Sequence, residues 1–225
     1  MVLRRLAVMV SLVAAAALAA PAAWAQDHRL EIGANFGYTL SDGVSFQGVR
    51  ARDGNIYDGI EPKDGGSWGL QLGYHVNENS EVGFLFDKQS SSLDVVGTNT
   101  HSIGDMSLEN YHGYFAYNFG EHDATLRPYV LFGLGATHYG SVPFTVGSTS
   151  RETEGNYQFS STFGAGVKIY PSPRVGVKLG VRWVPTYIKS DSTGWWCDPY
   201  WGCYVTQDAQ FSNQFQFAGG VILRF

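Results

Sequence analysis

The feature that most constrains this chain is a period-two alternation of side chains that recurs eight times between Arg29 and Phe225. In "RLEIGANFGYTL", Leu30, Ile32, Ala34, Phe36, Tyr38 and Leu40 share one parity, and Glu31, Gly33, Asn35 and Gly37 the other. Successive side chains of a strand point to opposite faces, so each such stretch reads as a strand with one apolar and one polar or small face. The other seven are "SWGLQLGYHV", "SEVGFLFDKQ", "LENYHGYFAYNF", "LRPYVLFGLGATHY", "YQFSSTFGAGVKIY", "RVGVKLGVRWVPTY" and "FSNQFQFAGGVILRF". Their connections alternate as well. The short "VNEN", "GEHDA" and "PSP" follow the second, fourth and sixth strands, whereas the odd-numbered strands are followed by residues 41–66, 90–105, 140–156 and 188–209. Short and long connections in strict alternation predict antiparallel neighbours with every long connection at one end. That is an all-β, eight-stranded antiparallel up-and-down barrel.

Alternation alone fits a soluble barrel with an apolar inside as well as a transmembrane barrel with an apolar outside. Three features favour the transmembrane one. Glycines crowd the polar face, as the inward positions of a narrow lumen require. Aromatic residues (Tyr38, Tyr74, Tyr117, Trp183, Tyr187, Phe225) gather near strand ends on the apolar face, where they would meet the lipid interfaces. The chain also stops on a strand at Phe225.

Residues 1–25 read as a cleaved signal peptide, with basic Arg4 and Arg5, an apolar run from Leu6 to Ala20, and the small-x-small site Ala23-Trp24-Ala25. Residues 26–225 then form one barrel domain. Removing Arg4 and Arg5 makes the formal charge of −5 two units more negative. A mildly acidic exported chain has no electrostatic footprint for nucleic acid.

"RPYVLFGLGA", "FGAGVKIY" and "VGVKLGVRW" resemble the small outer-membrane barrels of Gram-negative bacteria, namely the transmembrane domain of outer-membrane protein A, OmpX and the opacity-type proteins. The terminal "VILRF" ending in Phe225 is similar to the signal by which the barrel assembly machinery recognises its substrates. The resemblance covers essentially the whole mature chain. It implies residence in the Gram-negative outer membrane among lipids and lipopolysaccharide, with long loops extracellular and both termini periplasmic. It implies no activity, because the scaffold hosts unrelated ones.

The inward parity carries Glu31, Glu81, Asp87, Arg127, Lys168, Arg174, Lys178, Arg182 and Arg224. An unpaired buried charge costs several kcal/mol, so these groups are expected to pair into a plug. A narrow, anion-leaning conduit is the alternative, since basic groups outnumber acidic ones in that set.

Catalysis finds little support. His138 and His101 lie toward the long-connection end, with Ser141 and Ser102 nearby, but sequence places no carboxylate to orient either one. His28, His75 and His122 fall near the amino terminus or the short turns. No enzyme and no cofactor is expected; a lipid A-modifying enzyme ranks third among the functional readings. The first long connection holds Asp53, Asn55, Asp58, Glu61 and Asp64, which miss the EF-hand spacing. They read as a solvated acidic loop, and divalent cations bridging it to lipopolysaccharide stay open. No metal site is expected from spacing.

Both cysteines, Cys197 and Cys203, lie in "GWWCDPYWGCYV" in the fourth long connection. Two cysteines without histidine neighbours cannot complete a tetrahedral zinc site, and an exported chain meets an oxidising compartment. A disulfide closing the small loop is expected, contributing about 2 kcal/mol. Trp195, Trp196, Tyr200, Trp201 and Tyr204 then either extend an aromatic girdle or form a preorganised patch for an extracellular glycan, protein or lipid. Together these features predict an outer-membrane barrel with a structural or adhesin-like surface role, with a narrow porin-like channel as the alternative.

Overall fold

A computed structural model describes residues 29–50, 56–97, 100–146, 149–152, 155–188, 197–198, 202–203 and 210–225. The expected signal peptide lies outside the described residues. The strands are β1 (Leu30–Ser41), β2 (Val44–Arg50), β3 (Ile56–Pro62), β4 (Gly65–His75), β5 (Ser80–Gly97), β6 (His101–Asn118) and β7 (Leu126–Tyr139). They continue with β8 (Pro143–Val146), β9 (Thr149–Glu152), β10 (Asn156–Ile169), β11 (Val175–Ile188), β12 (Cys197–Asp198), β13 (Gly202–Cys203) and β14 (Gln210–Arg224).

Eight of these close a barrel. β1 pairs with β4, β4 with β5, β5 with β6, β6 with β7, β7 with β10, β10 with β11, β11 with β14, and β14 returns to β1, every pair antiparallel. Closure removes the unpaired edges that an open sheet would present. The alternation resolves as the sequence predicts. Along β7, Leu126, Val130, Phe132 and Leu134 face outward and are exposed, while Arg127, Tyr129, Leu131 and Thr137 are buried in the lumen.

The second long connection departs from expectation. Residues 90–97 and 101–107 continue β5 and β6 as one hairpin, so each strand has 18 residues. A bilayer needs only about 9–11 tilted residues, so both strands project well beyond the apolar belt. Their serine-rich composition reads as loop, but Leu93, Val95, Met106 and Leu108 keep an inward apolar face. A partner for that face comes from elsewhere: β2 and β3 form a hairpin, and β3 pairs along β5 with Glu61 opposite Asp94. Val44, Ile60, Leu93, Val95, Met106, Leu108, Tyr139, Val142 and Ile188 pack as one buried apolar core at this long-connection end.

Candidate functional site

The lumen is built in tiers, and the lowest lies at the end that carries the short turns and both described chain ends. Glu31 of β1 and Glu81 of β5 both point inward and are almost fully buried. Lys168 of β10 lies between them, its Nζ donating to Glu31 Oε2 at 2.6 Å and to Glu81 Oε2 at 2.5 Å. Each carboxylate collects further donors. Glu31 Oε1 accepts from the Tyr170 hydroxyl at 2.6 Å and from Arg224 Nε at 3.1 Å, and His75 Nε2 lies 2.9 Å away. Glu81 accepts from the Tyr114 hydroxyl at 2.5 Å, Gln71 Nε2 at 3.1 Å and Asn118 Nδ2 at 3.2 Å. Arg224 stacks its guanidinium 3.4 Å from the centre of the Tyr170 ring. Arg127 caps the tier by donating to the carbonyl of Glu78 at 2.5 Å.

Above it lies a mixed tier. Arg182 Nη2 sits 2.6 Å from Asp87 Oδ2 as a charge contact, and its guanidinium also donates to Gln216 Oε1. Lys178 donates to Gln71 Oε1 at 2.5 Å, with its ammonium 4.5 Å from the centre of the Tyr129 ring. His112 and Ser160 meet at 2.9 Å, both fully buried, and Thr137 bonds Ser160 and Asn110. Between Gln71, Tyr129, Lys178 and Arg182 the cavity measures about 20 Å³. That is room for about one water molecule.

Glycine makes this filling fit. A Cβ on Gly73 would collide with the Glu81 carboxylate and the Tyr114 hydroxyl, and one on Gly180 would collide with the Tyr129 hydroxyl. Large inward groups thus face glycines one or two strands away around the barrel. This gives a packing reason for the glycine-rich parity in the sequence.

Of the nine charged residues expected in the lumen, eight face inward, and Arg174 does not. It is exposed in the turn before β11, because the strand begins at Val175 and alternation no longer governs the residue before it. The tyrosines bonded to the carboxylates, Tyr114 and Tyr170, were missed as site members, although the inward parity of Tyr114 could have flagged it. Phe225 pairs its backbone with Leu30, its N–H donating at 2.9 Å. Cys197 and Cys203 are cross-strand partners in the small β12–β13 ladder. Trp195, Trp196, Tyr200, Trp201 and Tyr204, like His28, Asp53 and Asn55, lie outside the described residues.

Two arrangements could suggest chemistry. Glu31, His75 and Glu81 bring ligand atoms within 4.8 Å of one another, a spacing a metal could use. The Lys168 ammonium already holds the cationic position between the two carboxylates, so a metal would have to displace it. On the outer surface, Lys88, Glu109, His138 and Tyr157 form one row of cross-strand partners at the edge of the apolar belt. Glu109 pairs with Lys88 at 2.7 Å and accepts from the Tyr111 hydroxyl at 2.8 Å. It stands 3.7 Å from His138 Nδ1, beyond hydrogen-bond range, so it does not orient that ring as a triad carboxylate would. His112, the ring that does meet a serine, is sealed in the lumen with no partner at Nδ1.

Residues 9–224 match the model of the outer membrane protein beta-barrel domain. The chain belongs to that outer-membrane barrel family. Solved structures of similar fold include the outer membrane protein OprG from Pseudomonas aeruginosa, at TM-score 0.62 and 13% identity over 87% of this chain and 95% of that one. Neisserial surface protein A matches at TM-score 0.52 and 15% identity over 87% and 97%, and AlkL at 0.52 and 14% over 91% and 94%. A comparison with the curated proteins finds no significant match. For this outer-membrane barrel, identities this low establish the architecture, and its function has to be argued from its own residues.

Proposed function

We propose that this outer-membrane barrel is closed, with its long connections outside the cell and both termini in the periplasm, and acts through those connections in an adhesin-like, structural role at the surface. One observation carries the reading: the lumen is filled at both ends, ionically at one and by an apolar core at the other. A barrel built this way is a rigid post, and what varies along it is the wall that projects past the belt. The 18-residue strands β5 and β6, with β3 paired beside them, support a display role.

A disulfide between Cys197 and Cys203 belongs to the same proposal. Antiparallel partners stand about 4.5–5.5 Å apart at Cα. A disulfide needs about 4.4–6.8 Å. The staple would hold the neighbouring tryptophans and tyrosines ready for a glycan, protein or lipid partner at little entropic cost.

The test has two arms. The mature protein, refolded and shown by heat-modifiable gel mobility to be closed, should be electrically silent in a planar bilayer. Applied in detergent to glycan and matrix-protein arrays, it should bind, and deletion of Gly194–Val205 should abolish binding while the heat-modifiable form persists. A steady conductance altered by Lys178→Gln or Arg182→Gln would instead support the narrow channel, which the five lumen cations facing three carboxylates favour.

A further inference from the structure

The mixed tier of the lumen keeps one space open among side chains that otherwise fill it. The space is lined by Asn35, Gln71, Tyr129, Lys178, Arg182 and Gln216, and it measures about 20 Å³. It therefore takes one particle of about the size of a water molecule. Gly180 forms part of the wall, and a Cβ there would collide with the Tyr129 hydroxyl. The backbone itself thus leaves that hydroxyl its place at the cavity.

The lumen has a surplus of positive charge, and part of that surplus sits in this wall. Glu31 and Glu81 are engaged by Lys168 and Arg224, and Asp87 by Arg182. No carboxylate is left for Lys178, whose Nζ makes one hydrogen bond, to the neutral Gln71 Oε1 at 2.5 Å. An ammonium carries three donors, so two remain. Arg182, only 10% exposed, has a further donor without a partner at Nη1. Tyr129 is 4% exposed, and among the described residues its hydroxyl makes no hydrogen bond. Buried polar groups are ordinarily satisfied, and a buried charge without a partner is costly. No carboxylate lines the cavity to answer these donors.

We propose that this cavity binds a chloride ion, held by Lys178, Arg182 and Tyr129, which supplies the counter-charge that Lys178 lacks. Two cations in the wall exclude a metal ion. A water molecule would satisfy the donors but leave the charge unanswered. Phosphate, sulfate and carboxylates each bring several heavy atoms and exceed a space of one water. A monatomic anion fits both the volume and the sign. Gln71 and Gln216 are wall rather than ligands, because their amide donors are already spent on Glu81 and Ser67. The site is independent of the adhesin-like role. Conduction in a bilayer bears on closure and chloride binding on this cavity, so the two readings fail separately.

Urea unfolding of the refolded mature chain from lipid vesicles tests it, with chloride exchanged at constant ionic strength for gluconate, which is too large for the cavity. A ligand held only by the folded chain raises the folding equilibrium constant in proportion to its concentration once that exceeds the dissociation constant. The parent should therefore gain up to about tenfold for each tenfold rise in chloride. Lys178→Met should lose this dependence, and Tyr129→Phe should weaken it. Arg174→Gln, at an exposed cation in a short turn, should keep it. Heat-modifiable mobility certifies folding of each variant, and if Lys178→Met does not fold, Tyr129→Phe alone decides. Crystals grown in sodium bromide should show one anomalous peak between Lys178 Nζ, Arg182 and the Tyr129 hydroxyl. A folding constant indifferent to chloride would mean a water-filled cavity beside an uncharged Lys178, and would overturn the proposal. So would equal chloride dependence in the parent and either folded lumen variant, or bromide crystals with no peak at that place.

Discussion

The two ends of the lumen solve one problem with opposite chemistry. At the short-turn end, Lys168 ties Glu31 to Glu81 while Tyr170, Arg224, His75, Tyr114 and Gln71 saturate the remaining lone pairs. At the long-connection end, nine apolar or aromatic side chains fill the same cross-section. An apolar core accepts any arrangement of similar volume, so it specifies little beyond shape. The ionic tier is intolerant, because its partners are drawn from β1, β4, β5, β6, β10 and β14, and a shift of one residue in any of these strands would turn its members to the opposite face. Buried ion pairs add little net stability over apolar packing but make one-sided loss expensive. The ionic end therefore fixes register around the barrel, and the apolar end contributes burial with freedom to change sequence.

The comparison can be broken in descending steps. Gly73→Leu should abolish folding, with no heat-modifiable species on gels, because the added side chain needs the space of the Glu81 carboxylate and the Tyr114 hydroxyl. Lys168→Met leaves two buried carboxylates facing each other and should cost about 3–5 kcal/mol in urea unfolding from lipid vesicles. Leu108→Ala at the apolar end should cost about 2–5 kcal/mol, and Leu108→Met under about 1.5, a tolerance the ionic end should not share. Glu109→Gln, outside both tiers on the half-exposed rim, should change stability by about 1 kcal/mol or less.

The smallest effect carries a sign. Glu61 holds its proton more tightly in the folded chain than in the unfolded one, so its contribution to stability falls as pH rises above the ordinary carboxylate value. Acidification from neutrality through the raised value should therefore strengthen the parent chain relative to Glu61→Gln, the difference between the two being Glu61's own part of the pH dependence. Thermal unfolding followed by gel mobility reads both.

Much of this was legible in the sequence, for a physical reason. Side-chain parity is a local property, so β1, β7 and β11 could be assigned an inside and an outside residue by residue. Parity also named Glu31, Glu81, Lys168 and Arg224 as inward without any knowledge of who pairs with whom. It failed where the strand stops, as at Arg174. It also failed where a strand continues because a distant segment pairs with it, as β3 does with β5 beyond Gln89. Asp94 shows the same limit. Its neighbours Leu93 and Val95 gave its facing, but its place opposite Glu61 depends on β3, a distant segment that pairs with β5.

The seam between β1 and β14 has a temporal consequence. The Arg224–Glu31 bond joins residues 193 apart in the chain, and every ladder pair along that seam joins the first described strand to the last. No shorter stretch of this polypeptide can seal the wall, so a truncated or stalled chain keeps two open edges whatever else has formed. Closure is in effect a molecular full stop. Insertion is complete only when the final strand has arrived, and any intermediate before that moment needs an escort for its edges.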